Sequence, residues 1–140
     1  MTATQRYRAQ HAELVALVSQ ISALLEDADL SNQAADVRNL VSSLVGKLSI
    51  HLAMEDKIFY PKLMSHGNPD VRALSKRYCE EMGSLADDFT KFNQRWLTAA
   101  LIEKDPANFV AEVALILKAL QTRIEKENNE LYKLVDNLDD

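Results

Sequence analysis

Helix-breaking residues are so scarce in this chain that it has room for only a few turns. Gly and Pro together make 6 of its 140 residues, about 4% where an average chain has roughly 12%. Turn and N-cap residues come together in three short stretches, 27–31, 66–69 and 105–106. The segments between them are rich in good helix formers. We expect four long helices, at roughly residues 3–26, 32–65, 70–103 and 106–137.

Each of the four segments carries an apolar stripe with steps of three and four residues, which is the pattern of a helix that faces a core. Short connections make successive helices antiparallel neighbours. The sequence therefore predicts an all-α fold, with residues 1–140 forming a single up-down-up-down antiparallel four-helix bundle. Pro61 lies inside the second segment, and we expect it to kink that helix or to end its regular part.

Charge and hydropathy narrow the class of protein further. The chain has 16 basic and 21 acidic residues, a net charge of −5, and no basic cluster of the kind that binds a phosphate backbone. It has no apolar run of about 18 residues that could span a bilayer, and its polar amino terminus lacks the apolar core of a signal peptide. We expect a cytoplasmic protein that binds neither nucleic acid nor membranes.

Ionisable residues interrupt every apolar stripe, at positions where a simple bundle would have leucine. Counted from the turns at about 1.5 Å per residue, all four helices bring such a residue to nearly the same level of the bundle. Buried charges need partners, hydrogen bonds or a metal. Imidazoles and carboxylates inside a helical bundle suit iron or manganese, and also zinc. The residues concerned are His11, His51, Glu55, Glu81, Arg123 and Glu127.

Two pairs of these residues are spaced four positions apart on one helix. His51 and Glu55 share a helix face, so that imidazole and carboxylate can converge on one ion. Arg123 and Glu127 repeat the spacing on the last helix. Because carboxylates can bridge two ions, a dinuclear centre with positions open to an outside ligand is possible. The candidate metal ligands are His11, His51, Glu55, Glu81 and Glu127.

At these residues the sequence resembles the hemerythrin-like family, the HHE cation-binding domains, over nearly the whole chain. That family has a histidine in helix one, His-x-x-x-Glu in helix two, a histidine in helix three and a second His-x-x-x-Glu in helix four. His11 matches the first position, and His51–Glu55, with Phe59–Pro61 after it, is very like the second. Arg123–Glu127, before Tyr132, has the form of the last motif. The resemblance implies a four-helix bundle around a non-haem di-iron centre.

Two positions depart from the family pattern. Glu81 stands where the third-helix histidine is expected, and Arg123, which cannot bind a metal, replaces the histidine of the last motif. In one interpretation Glu81 is a ligand and Arg123 orients a carboxylate beside two ions; in the other they form an ion pair that leaves one ion or none. The first is favoured, since several inward carboxylates are costly beside one arginine. Tyr7 and Tyr78, one turn from His11 and Glu81, are candidates to line the site.

The resemblance implies an iron protein that binds, senses or reduces oxygen, peroxide or nitric oxide. Two iron ions are favoured and one is possible, while manganese or zinc is less favoured. The expected partner is a small diatomic ligand or peroxide. The alternative is a degenerate, metal-free bundle that acts as a protein-interaction or regulatory module and has a protein partner. A histidine phosphotransfer bundle is disfavoured because His51 lies on an apolar stripe. The sequence indicates no catalytic residue and leaves open whether the protein is an enzyme.

Overall fold

The computed structural model describes residues 2–26 and 30–138, and over these residues the chain is helical, with no strand. Residues 27–29, in the first expected turn, lie outside the described part. Two π-helical turns, Glu55–Phe59 and Glu127–Leu131, each continue directly into a short α-helix. The α-helices are α1 (Gln5–Leu25), α2 (Leu30–Met54), α3 (Tyr60–Met64), α4 (Pro69–Met82), α5 (Leu85–Arg95), α6 (Ala99–Lys104), α7 (Pro106–Lys126) and α8 (Tyr132–Leu138).

These helices form four arms of an antiparallel bundle, which confirms the expected fold class. The first arm is α1, the second runs from α2 through its π turn into α3, the third is α4 with α5, and the fourth runs from α7 through its π turn into α8. α1 packs on α2 and α7, α5 packs on α2 and α7, and α3 packs on α4. Within the described residues, no helix is long and apolar enough to cross a membrane.

The third arm differs from the single helix expected over residues 70–103. α4 ends before Gly83, and a Cβ added at Gly83 would collide with the backbone carbonyl of Cys79. A second break precedes Thr98, whose side chain caps α6 by accepting a hydrogen bond from the backbone N–H of Leu101, at 3.3 Å. The breaks divide one periodic sequence into three helices.

The regular part of the second arm ends at Met54, in agreement with the expectation for Pro61. Proline has no N–H to continue the ladder, and the preceding Tyr60 N–H bonds five residues back to the Glu55 carbonyl. The fourth arm has the same π turn from Glu127 without any proline. The irregularity therefore belongs to both arms at equivalent places and does not depend on Pro61 alone.

The buried core consists of two apolar clusters separated by charged residues. The larger cluster fills the end of the bundle that includes Leu14, Leu48 and Leu120. The smaller one is rich in aromatic residues and includes Phe59 and Tyr132. Between them lie five buried residues that we call the polar layer: His11, His51, Glu55, Arg123 and Glu127.

Candidate metal centre

Three arms of the bundle supply the four possible metal ligands of the polar layer. His11 comes from α1, His51 and Glu55 from the second arm, and Glu127 from the fourth. One donor atom of each residue lies within 4.8 Å of those of the others. All four residues are at most 2% exposed. Potential ligands that are this close together and this well shielded from water are typical of a cation-binding site.

The distances between neighbouring donor atoms fit the ligands of one ion. The Nε2 atoms of His11 and His51 are 3.0 Å apart. His51 Nε2 lies 2.8 Å from Glu55 Oε1, and His11 Nε2 lies 3.1 Å from Glu127 Oε1. Metal–nitrogen and metal–oxygen bonds of about 2.0–2.2 Å place adjacent ligand atoms of one ion about 3 Å apart. The residues present therefore fit a single metal ion.

The outer nitrogens of the two imidazoles show where their protons are. His51 Nδ1 lies 2.6 Å from the side-chain oxygen of Gln10, and His11 Nδ1 lies 2.8 Å from that of Asn128. Because amide oxygens only accept, each Nδ1 carries a hydrogen, and each Nε2 faces the other donors. Histidines that bind metals are oriented by such bonds. The two Nε2 atoms and the two carboxylates converge on a space that suits a cation, either a proton or a metal ion.

Burial and neighbouring charges give the two carboxylic acids opposite pKa shifts. Burial raises the pKa of Glu55, and the negative charge of Glu127 raises it further. Burial also acts to raise the pKa of Glu127, but its hydrogen bond with His11 and the charge of Arg123 outweigh this and lower it. Burial lowers the pKa of His51 to about 4, so this imidazole is neutral at pH 7. In the absence of a metal, Glu55 is the carboxylate that takes up a proton first.

Arg123 is the fixed positive charge of the polar layer. Burial acts to lower its pKa, but the surrounding carboxylates, Glu127 foremost, raise it above the ordinary value. Its Nε donates to Glu127 Oε2 at 3.1 Å, and its Nη2 donates to Asp56 Oδ1 at 2.7 Å and lies 3.4 Å from Glu55 Oε1. Its Nη1 donates to the Met82 carbonyl at 3.2 Å. The guanidinium thus occupies the space next to the four donors.

Two buried tyrosines, to which the sequence assigned no role, bond to the carboxylates of the layer. Tyr60 Oη donates to Glu127 Oε2 at 2.7 Å. Tyr132 Oη donates to Glu55 Oε2 and lies 3.2 Å from His11 Nε2. The sequence pattern that could have revealed them is a Glu followed by Tyr five residues later, which occurs on both arms. Asp56, Gln10 and Asn128 carry no comparable pattern.

Glu81 has to be corrected as a candidate ligand, because the structure does not bring it to the polar layer. Its side chain is 44% exposed and pairs with Lys126 at 3.3 Å and Arg77 at 3.7 Å. The ion pair between Glu81 and Arg123, which was the alternative interpretation, is also not formed. At the end of α4 the neighbouring Met82 takes the inward position, so the expected level is right and the expected face is not.

The two tyrosines named as possible site residues have different surroundings. The Tyr7 ring packs edge-on against His51, with ring centres 6.0 Å apart, and also lies against Phe59. Tyr78 donates a hydrogen bond to Glu130 and lies under the cation of Lys126. Tyr7 therefore lines the cluster of donors, whereas the hydroxyl of Tyr78 serves a carboxylate outside it.

A helical bundle whose interior joins two imidazoles and two carboxylates belongs to the class of bundles that bind cations. Comparison with protein-family models bears this out, because the Hemerythrin HHE cation binding domain matches residues 2–135. The chain belongs to this family. The comparisons found no match among curated proteins and none among solved structures.

Proposed function

We propose that the chain binds one iron ion through His11, His51, Glu55 and Glu127. The observation that carries this proposal is the convergence of their donor atoms at 2.8–3.1 Å, with the Nε2 atoms of both imidazoles turned inward. Two imidazoles and two carboxylates suit iron, with manganese and zinc as less favoured occupants. One ion is proposed in place of the two favoured from sequence, since Glu81 lies outside and the Arg123 guanidinium fills the adjoining space.

We further propose that the site binds, senses or reduces oxygen, peroxide or nitric oxide. Bound iron supplies redox chemistry and open coordination positions, because four protein donors do not complete a six-coordinate shell. The rings of Tyr7 and Tyr132 pack against His51 and His11, and Phe59 packs against both tyrosines. The near-complete burial of the donors favours a partner as small as a diatomic molecule or peroxide.

Nitric oxide titration of the iron-loaded protein tests this function. We expect anaerobic iron(II) to bind and the visible absorption to change until one equivalent of nitric oxide has been added. Glu127→Gln should abolish the response by removing an anionic donor, whereas Glu81→Gln, the matched control on the surface, should respond like the wild type. An equal response in both variants, or no response in the wild type, would contradict the proposed site.

One observation favours a second candidate, a metal-free bundle that serves as a protein-interaction or regulatory module. The charges of the polar layer are already paired without a metal, because Arg123 bonds to Glu55 of the second arm and Glu127 of the fourth. Among the described residues, the one buried side-chain atom without a hydrogen-bond partner is Asp136 Oδ1, outside the layer. If this candidate is right, we expect Glu55→Gln to leave the melting temperature almost unchanged. Added iron should then raise the melting temperature of neither the wild type nor the variant. A rise with iron in the wild type alone supports the metal site.

A further inference from the structure

We propose that Tyr60 and Tyr132 are positioning residues that restrict each carboxylate of the centre to one metal-binding oxygen. Together they would set the coordination number of the ion. This inference rests on the proposed metal site and concerns how the chain shapes it. Both tyrosines are at most 2% exposed. Tyr60, on the second arm, bonds to Glu127 of the fourth arm, and Tyr132, on the fourth arm, bonds to Glu55 of the second.

The two π turns place these tyrosines in equivalent positions. Tyr60 follows Glu55 by five residues, and Tyr132 follows Glu127 by five. In a regular α-helix a residue five positions on points about 140° away from the first. A π turn closes i to i+5 hydrogen bonds and so brings the two residues onto one face. In both arms the tyrosine N–H bonds to the carbonyl of its glutamate.

From these positions the two side chains cross between the arms. Tyr60, which follows Glu55, donates to Oε2 of Glu127 at 2.7 Å, and Tyr132, which follows Glu127, donates to Oε2 of Glu55. The arrangement is reciprocal: each arm contributes one glutamate to the site and one hydroxyl that holds the glutamate of its partner arm. A single buried tyrosine could be a packing residue, but this reciprocity ties both hydroxyls to the donor atoms.

The hydrogen bonds divide the oxygens of each carboxylate into two kinds. Oε2 of Glu127 accepts from both Tyr60 and Arg123, while its Oε1 faces His11 at 3.1 Å and has only a longer 3.4 Å contact with the Tyr132 hydroxyl. Oε2 of Glu55 accepts from Tyr132, while its Oε1 faces His51 at 2.8 Å and has only the longer 3.4 Å contact with Arg123 Nη2. For Oε2 to chelate the ion or to bridge to a second ion, a buried hydroxyl would have to lose its acceptor, which is unfavourable in a dry interior. Each carboxylate is therefore held to monodentate binding through Oε1.

Cobalt(II) is a suitable probe, because its visible bands weaken as its coordination number rises. The variants Tyr60→Phe and Tyr132→Phe each remove one hydroxyl and keep the ring. We expect the wild type to bind one cobalt ion per chain. In Tyr132→Phe the molar absorption of the visible bands should fall as Oε2 of Glu55 joins the shell, and the affinity should weaken by about 10–100-fold. Tyr60→Phe should change both in the same direction but less, because Arg123 still donates to Oε2 of Glu127. Tyr78→Phe, which removes another buried hydroxyl bonded to a glutamate outside the site, should leave both unchanged.

The outcomes separate this inference from the proposed metal site. If the wild type binds cobalt and both variants keep its spectrum and bind within twofold of its affinity, the positioning role is wrong and the metal site stands. The positioning role is equally wrong if the variants lose thermal stability as Tyr78→Phe does but keep the wild-type cobalt spectrum. If the wild type binds no cobalt, the metal site and the inference both fail. Should Tyr132→Phe not fold, Tyr60→Phe decides, since it tests the same relation on the other arm.

Discussion

The larger apolar cluster and the polar layer lie on the same helices, yet they impose different demands on the chain. α7 presents Phe109, Val113 and Leu120 to the apolar cluster, and the same helical spacing then delivers Arg123 and Glu127 to the layer. The apolar part of α7 is regular α-helix, whereas both π turns begin at a glutamate of the layer. Packing of apolar side chains tolerates local variation, but a charged interior needs specific partners from other helices.

The two regions also differ in what they contribute to stability. Burying an aliphatic side chain stabilises the fold by about 1.5–3 kcal/mol. A buried ion pair gains little over an apolar pair of similar size, because desolvation offsets its attraction. The polar layer therefore stabilises the fold less than leucines in its place would, which is typical of a region that serves a site.

The largest effect should come from removing the fixed charge of the layer. Arg123→Met leaves Glu55, Asp56 and Glu127 without their cation and should lower the free energy of unfolding by about 3–5 kcal/mol. Urea denaturation of the metal-free protein measures this. Arg95→Met, which removes a half-exposed ion pair with Glu112, should cost less than about 1 kcal/mol. Equal stability of the two variants would remove the contrast between the layer and the surface.

A truncation in the apolar cluster should affect stability alone. Leu44 is buried among the apolar residues, and Leu44→Ala should lower the free energy of unfolding by about 2–5 kcal/mol by opening a cavity. Because no donor atom is altered, the folded variant should bind the same number of iron ions per chain as the wild type. A loss of iron in folded Leu44→Ala would show that the two regions are not separable.

The stability of the metal-free protein should depend on pH because the imidazole of His51 is buried in the polar layer. The pKa of His51 is about 4 in the folded protein, against 6.5 for a free histidine. As the pH falls from 6.5 to 4, the unfolded chain takes up a proton that the folded chain does not, so the metal-free protein loses stability over this window. The slope is at most about 1.4 kcal/mol per pH unit, or about 3 kcal/mol in total. Below pH 4 the loss from this group is complete.

Other groups also titrate in acid, so the contribution of His51 has to be separated from theirs. Comparing the wild type with His51→Gln makes this separation. Urea denaturation at several pH values in the presence of a chelator should give a shallower slope for the variant between pH 6.5 and 4. Parallel slopes for the two proteins would mean that His51 is protonated in the folded state, contrary to its burial.

The smallest effect should come from Glu81. Its pairs with Lys126 and Arg77 are exposed, so Glu81→Gln should change the free energy of unfolding by less than about 1 kcal/mol. Iron binding should not change either. A loss of iron comparable with that of Glu127→Gln would restore Glu81 as a ligand.

The sequence predicted the all-helical bundle and the level of the polar layer, because apolar periodicity and distance from the turns depend only on local geometry. Its error at Glu81 is one of phase. Adjacent residues differ by about 100° around a helix, and near the end of α4 the inward position belongs to Met82, whose carbonyl bonds to Arg123. The level was right and the face was not.

The π turns and the partners of the layer could not be predicted in the same way. The crossing of Tyr60 and Tyr132 depends on five-residue hydrogen bonds that a 3.6-residue period does not reveal. The bond from Arg123 to Asp56 depends on how two arms are rotated toward each other. Both follow from tertiary packing, which the pattern of a single chain does not specify.

The iron content of the reconstituted chain is the most direct test of a single-ion site in the polar layer. Iron(II) is added without oxygen, excess metal is removed, and iron per chain is measured by elemental analysis for the wild type and for the double variant Glu55→Gln/Glu127→Gln. Circular dichroism confirms that both are folded. The expected result is one iron per chain in the wild type and none in the variant. Two irons per chain, or none in the wild type, would contradict the single-ion site.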